Sequence, residues 1–223
     1  MIFSPPFPTP SLETPRFSSA FQTDMATLLA WRRDVRRFTN KPVRRELLDH
    51  LLDMAQLSPS VGNSQPWRWV NIESATARTA LRENFASCSA AALANYDGES
   101  ARLYTQLKLQ GLDCAPVQLA VFCDRETVQG SGLGKQTMPE TLDHSVAGMI
   151  SNLWLYARAF GLGLGWVSII DPENVKRILD VPEHWKLIAC LCLGWPEEEH
   201  IDPELERFGW QERTSIGRQV LVR

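Results

Sequence analysis

Glu140–Ile170 reads ETLDHSVAGMISNLWLYARAFGLGLGWVSII and contains a complete helix-to-strand transition. Val146, Met149, Ile150, Leu153, Trp154 and Ala157 recur at helical spacing. They give one apolar face to a helix running from about Glu140 to Phe160. Gly161 ends that helix, because glycine enters the left-handed conformation at a helix C-terminus without a Cβ penalty. Leu164 to Ile170 then reads as a strand. Asp171-Pro172 starts another short helix as N-cap and first-turn residue.

Elements on either side follow the same logic. Asp24 is placed to cap a helix through Met25, Leu28, Leu29 and Trp31, and Pro42 precedes a second with Leu47, Leu48, Leu51, Leu52, Met54 and Ala55. Ser58 to Pro66 is a loop, and Trp67 to Ile72 alternates as a half-buried strand. Helical stretches are expected over roughly Ala75 to Ala94 and Glu99 to Gln110, and a strand over Pro116 to Cys123. Arg125 to Met138 is a polar loop. Lys186 to Leu193 reads as a fully buried strand, and from Glu197 the chain turns charged and extended. Helices and strands mix without a regular βαβ period, so the expected class is α+β.

The chain has 223 residues, enough for one domain with a substantial core. Residues 1–20 form a Pro- and Ser-rich stretch expected to be a flexible arm, leaving 21–223 as the domain. A formal net charge of −3 implies no nucleic-acid partner, and no apolar run approaches the roughly 20 residues that cross a bilayer. Five cysteines, an odd number without a signal peptide, fit cytoplasmic thiols. Cys190-Leu191-Cys192 lacks further ligands at zinc spacing and reads as small buried hydrophobes. The four histidines make no metal spacing, so no metal is expected.

Two glycine-rich stretches fail as nucleotide loops. Gly130 to Lys135 lacks glycine at Gln129 and a hydroxyl at Gln136, as a phosphate loop would need. Gly161 to Gly165 would need glycine at Trp166 and follows a helix rather than a strand.

Three other segments carry chemistry. Arg32-Arg33-Asp34-Val35-Arg36-Arg37 opens a run of seven cations to Arg45, with Asp34 the only acid. Guanidinium forks suit phosphate oxygens, and neighbouring cations would hold a carboxylate ionised. On the residues alone this is either a phosphate site or a solvated helix end. Ser58 to Trp67 is either an ordinary turn or a loop offering amides and hydroxyls to a heteroaromatic edge. In Gly163 to Ser168, small residues admit a flat ligand, and Ser168 is a polar group in an apolar strand that needs a partner, from a ligand or from neighbouring backbone.

Taken in order, the R-R-x-x-R start, the S-P-S-x-x-N-x-Q-P-W loop and the late G-L-G-x-G-W segment resemble the nitroreductase superfamily of FMN proteins. Asp34 stands where most of that superfamily has serine. With Leu107 to Gly111, Ala115-Pro116, Gln136 to Thr141, Asn152 to Arg158 and Gly165 to Ile169, it makes the chain similar to the flavin-fragmenting, dimethylbenzimidazole-forming branch. The resemblance covers about Thr27 to Gly217. It implies a central mixed sheet flanked by helices in an intertwined homodimer, with FMN at the subunit interface. It assigns Arg32, Arg33, Arg36 and Arg213 to the phosphate and polar edge of the flavin. Asp34, Val35, Ser60, Asn63 and Ser168 would contact it, and Leu109 would lie near the ring in a lid. Asp34 is implied as the catalytic acid-base residue, and Ser168 as a hydrogen-bonding partner at the reacting part. The implied reaction is attack of molecular oxygen on reduced FMN. Fragmentation then yields 5,6-dimethylbenzimidazole, the lower ligand of cobalamin, and erythrose 4-phosphate. A flavin reductase would supply the reduced FMN. Two other readings remain at this level: an NAD(P)H-dependent oxidoreductase that recycles FMN, and a non-catalytic flavin-binding protein.

Overall fold

The computed structural model of the chain describes residues 14–107, 111–214 and 220–223. In chain order its elements are α1 (Ser19–Trp31), α2 (Arg45–Ala55), β1 (Trp67–Asn71), α3 (Ala75–Leu93), α4 (Gly98–Gln106), α5 (Gly111–Cys114), β2 (Val117–Asp124), α6 (Thr141–Ala159), β3 (Gly163–Val167), α7 (Pro172–Leu179), β4 (Trp185–Gly194) and α8 (Glu204–Arg207). Most of the expected elements are present. Three differ. Helix α1 starts at Ser19, capped by the Ser18 hydroxyl, so Asp24 sits inside the helix instead of opening it. The expected arm therefore overlaps the start of α1, and most of it lies outside the described residues. Strand β3 stops at Val167, three residues short of Ile170. The charged stretch after Glu197 contains the short helix α8.

The sheet order is β1-β2-β4-β3, with β2 and β4 central. Among the described residues all strand pairs are antiparallel, and parallel pairing enters through one bridge, Asp34 with Leu164. Helices cover both faces. On one, Leu48 and Leu51 of α2 and Val146, Met149, Ile150 and Leu153 of α6 pack against Leu119 and Val121 of β2 and Leu191 and Leu193 of β4. On the other, Leu81 of α3 and Val175 of α7 pack against Ala120 and Phe122 of β2 and Cys190 and Cys192 of β4. Period-two alternation thus sends successive residues of one strand into two different cores. That is why β2 is buried along its whole length, Gln118 and Asp124 included. Strand β4 is buried only from Ala189 onward, because its first half reaches towards the sheet's end. Burial raises the Cys190 thiol to about 12, so it behaves as an apolar filler.

Strand β3 is an edge strand, and the chain blunts that edge itself. Val35 N–H donates to the Leu164 carbonyl at 3.0 Å, Thr39 N–H donates to the Trp195 carbonyl at 2.8 Å, and Phe38, 1 % exposed, anchors the segment in the core. The approach depends on two glycines. A Cβ on Gly165 would stand 2.2 Å from the Val35 carbonyl oxygen, and one on Gly163 would stand 2.6 Å from Val35 Cγ2. Both contacts are far inside van der Waals range, and the first is with backbone that has nowhere to go. Gly165→Ala is expected to destabilise the protein by about 1–3 kcal/mol, read as a lower urea midpoint with an unchanged slope. Wild-type stability in that variant would show that residues 34–35 do not lie against β3.

Candidate active site

Residues 33–37 follow helix α1 without continuing it. Arg36 Nε lies 3.4 Å from Asp34 Oδ2. Arg33 and Arg37 turn towards the stretch after β4. Arg33 Nε donates to the Ile201 carbonyl at 2.7 Å, and Arg37 pairs with Glu198 and with Glu204 at 3.1 Å. Arg32 lies over the Trp154 ring of α6 at 5.0 Å, and the same indole N–H donates to the Arg33 carbonyl at 3.1 Å.

The Asp34 carboxylate is held at its other oxygen by the backbone of β3. Trp166 N–H donates to Asp34 Oδ1 at 2.9 Å. The side chain retains 36 % of its surface to solvent, so it is fixed in direction yet reachable. The clustered guanidinium groups do not pull Asp34 below the ordinary carboxylate value. Its pKa is raised above the ordinary carboxylate value. Crowding by protein raises it most, and this outweighs the Trp166 N–H and Arg36, which pull it down. Among the four arginines of the segment, Arg36 makes the direct contact with Asp34.

The remaining cations converge elsewhere. Arg33 is pushed below the usual guanidinium value, by burial first and then by repulsion from Arg213 and Arg32. Arg32 and Arg213, from opposite ends of the chain, thus lie near enough to repel the Arg33 guanidinium, and a phosphate would stabilise positive charge gathered in this way. The positive charge suits the phosphate of FMN, but Arg33 spends its own N–H groups on the Ala30, Arg32 and Ile201 carbonyls, and Arg36 is committed to carboxylates. Val35 is a packing residue over Gly163, with its backbone tied to β3.

Ser168 lies one residue beyond β3 and is exposed, so the partner expected for a serine inside a strand is not required. It is two residues from the Trp166 amide that orients Asp34. Ser60 and Asn63 are employed in their own loop. Ser60 Oγ accepts from Gln65 N–H at 3.0 Å, and Asn63 Oδ1 accepts from Gln65 Nε2 at 3.1 Å. That loop leads into β1, the opposite edge of the sheet from β3. Three strand spacings, about 14 Å, separate the two edges. Trp67 is also in line with Cys123, whereas Leu164 is in line with Leu193 and Val117 at the other end of β2. One chain therefore does not bring Ser60 and Asn63 to Asp34. Leu109 lies outside the described residues.

Two participants were missed by sequence reading. The Trp166 amide carries no side-chain signature. Glu204, whose side chain is 9 % exposed, reaches Arg37 at 3.1 Å and Arg36 at 3.8 Å. Its only signal was an acidic cluster following a cationic one far away in sequence.

Residues 29–195 match the model of the nitroreductase family. The chain is 52 % identical over 199 residues to a 5,6-dimethylbenzimidazole synthase of Rhodospirillum rubrum, covering 89 % of this chain and 94 % of the relative. It is 45 % identical to one of Rhodobacter capsulatus, covering 88 % and 95 %. Among solved structures, iodotyrosine deiodinase bound to FMN and 3-iodo-L-tyrosine superposes with a TM-score of 0.68 at 22 % identity, covering 89 % of this chain and 97 % of that one, which bears on the fold alone. A sheet blunted by its own arginine-bearing segment and these matches along most of the chain agree: the protein belongs to the nitroreductase family.

Proposed function

We propose that the chain is a 5,6-dimethylbenzimidazole synthase that takes reduced FMN as its substrate. With molecular oxygen it breaks FMN down to 5,6-dimethylbenzimidazole, for the lower ligand of cobalamin, and erythrose 4-phosphate. The observation that carries this reading is the Asp34 carboxylate. It is aimed by the Trp166 amide, open on one side, and raised in proton affinity. Relatives named for the same reaction, at 52 % and 45 % identity, support it.

Reduced FMN supplies both the carbon skeleton and the reducing electrons. The chain supplies grip and proton transfer. Arg32, Arg33 and Arg213 bind the phosphate and fix the far end of the molecule. Gly163 and Gly165 keep β3 bare beneath residues 34–35, so the base sits on backbone and not on a mobile loop. Asp34 removes and returns a proton beside the ribityl chain, and its raised proton affinity suits a general base at neutral pH. Ser168, two residues from the Asp34 anchor, donates a hydrogen bond to the reacting part of the ring. Because Ser60 and Asn63 lie at the opposite sheet edge, a homodimer completes the site, each chain lending its loop to the other's Asp34. A flavin reductase supplies the reduced substrate. No described helix is long and apolar enough to cross a membrane, and the reading places the enzyme in the cytoplasm.

The test is aerobic incubation with chemically reduced FMN, followed by mass analysis of small molecules. Formation of 5,6-dimethylbenzimidazole supports the reading, and plain reoxidation to FMN refutes it. Asp34→Asn is expected to keep FMN binding within a few-fold while lowering product at least about 100-fold. Ser168→Ala is expected to lower product yield and raise the share of reduced FMN that simply reoxidises, and wild-type partitioning would remove Ser168 from the mechanism. The raised Asp34 pKa also makes a stability prediction. Protonated Asp34 suits the fold, so its contribution is full below the ordinary carboxylate value of about 3.9 and is lost as pH rises through the raised one. Asp34→Asn should therefore unfold at the same or a higher temperature than wild type at pH 7, and a clear drop would contradict the burial account.

A further inference from the structure

Arg36 stands between two carboxylates. Asp34 Oδ2 is 3.4 Å from its Nε, and Glu204 Oε1 is 3.8 Å from its Nη1. Arg36 and Glu204 are the deeply buried members, with side chains 11 % and 9 % exposed. Glu204 is itself fixed by Arg37, at 3.1 Å to one oxygen and 3.5 Å to the other. Arg37 also pairs with Glu198, which its partners His200 and Arg37 pull down to about 2. The result is an alternating chain of charges, Asp34, Arg36, Glu204, Arg37, Glu198, reaching from the candidate base into the stretch after β4.

We propose that Glu204 is a positioning residue for Asp34. By gripping Arg36 from the far side, it divides one guanidinium between two carboxylates and leaves Asp34 free to take up a proton. A single cation cannot satisfy both acids at full strength at these separations. Without Glu204, Arg36 would close on Asp34 as an ordinary ion pair and lower its proton affinity, which makes a weaker base. The inference rests on Asp34 being the base of the proposed reaction, but its geometry does not.

Other groups face Asp34 and act on the same balance. On its own segment these are Arg33, Arg36 and Arg37. From the stretch after β4, Glu204 is joined around the same cleft by Glu198, His200, Asp202 and Arg207. From β4 behind it comes the Cys192 thiol, pushed far up by burial and uncharged. Among the acids of that cleft, Glu204 is the one ion-paired, at 3.8 Å, with the guanidinium that touches Asp34, so its removal changes Asp34 through Arg36 as well as directly.

The test follows the Asp34 carboxyl by carbon-13 NMR across pH, with oxidised FMN bound, in wild type, Glu204→Gln and Glu204→Asp. Parallel pH profiles record 5,6-dimethylbenzimidazole formation from reduced FMN. In Glu204→Gln the Asp34 titration is expected to move down by about one pH unit, with the acid limb of the product profile following it. Glu204→Asp should restore both towards wild type. FMN affinity is measured in parallel, because Arg33 of the phosphate cluster lines the same cleft as Glu204. An Asp34 titration in Glu204→Gln that coincides with wild type overturns the proposal, whatever happens to the rate. A shifted titration in a protein whose wild type forms no product upholds the Glu204–Arg36–Asp34 coupling and refutes the reaction instead. Loss of fold in Glu204→Gln, seen by circular dichroism, with a wild-type Asp34 titration in Glu204→Asp, counts as a structural role and also overturns it.

Discussion

The contact between the Val35 carbonyl and Gly165 governs the site. An edge strand needs a cover, and a cover can come this close only if the strand offers no Cβ. With 2.2 Å between the Val35 oxygen and the place where a Cβ would be, any other residue at 165 would lift the 34–38 segment off the sheet. The same contact sets the direction of Asp34. Once Val35 is bonded to Leu164, the preceding carboxylate falls on the Trp166 amide. Fold and site are thus one constraint, and the glycines that failed as a nucleotide fingerprint serve backbone-to-backbone packing instead.

Electrostatics then follows from geometry and not from composition. Seven cations against one acid over fourteen residues reads as a nest of positive charge around Asp34. The fold breaks that nest apart by giving most of the cations other partners. Arg33 and Arg37 are absorbed by the stretch after β4, and Arg32 by an indole face. What remains beside Asp34 is one guanidinium at 3.4 Å, shared with Glu204. Partial burial then wins over partial neutralisation, and the carboxylate holds its proton to higher pH than in water.

Much of the architecture was legible because it rests on long periodic signals. The apolar stripe of α6 and the Asp171-Pro172 start of α7 appear where periodicity and capping put them, and β1 forms where a strand was expected, though its burial does not alternate. The errors fall at ends and at distant contacts. Ser18 and Asp24 are both good caps, and the choice between them depends on packing that local pattern does not encode. Strand β3 ends before Ser168 because its partner β4 pairs with it only to Cys190 opposite Val167, a matter of register. The family resemblance named Asp34 for its residue type alone. Its neighbours Trp166 and Glu204 come from segments 132 and 170 positions away, and nothing in either stretch announces that they meet.

That long-range assembly bears on how the site is divided between copies of the chain. Within one chain, the basic segment and Asp34 occupy one edge of the sheet, and the Ser60–Asn63 loop the other. The loop is already rigid there. Val61 N–H donates to Ser145 Oγ at 3.0 Å, and Asn152 Nδ2 donates to Ser58 Oγ at 2.7 Å, so α6 fixes it at two points. A loop tied to α6 in this way cannot swing about 14 Å across two central strands to reach its own Asp34 without breaking both ties. If both ends serve one ligand, they must come from different copies. The rigidity that makes the loop useless to its own chain is then what makes it a precise contribution to a neighbour's.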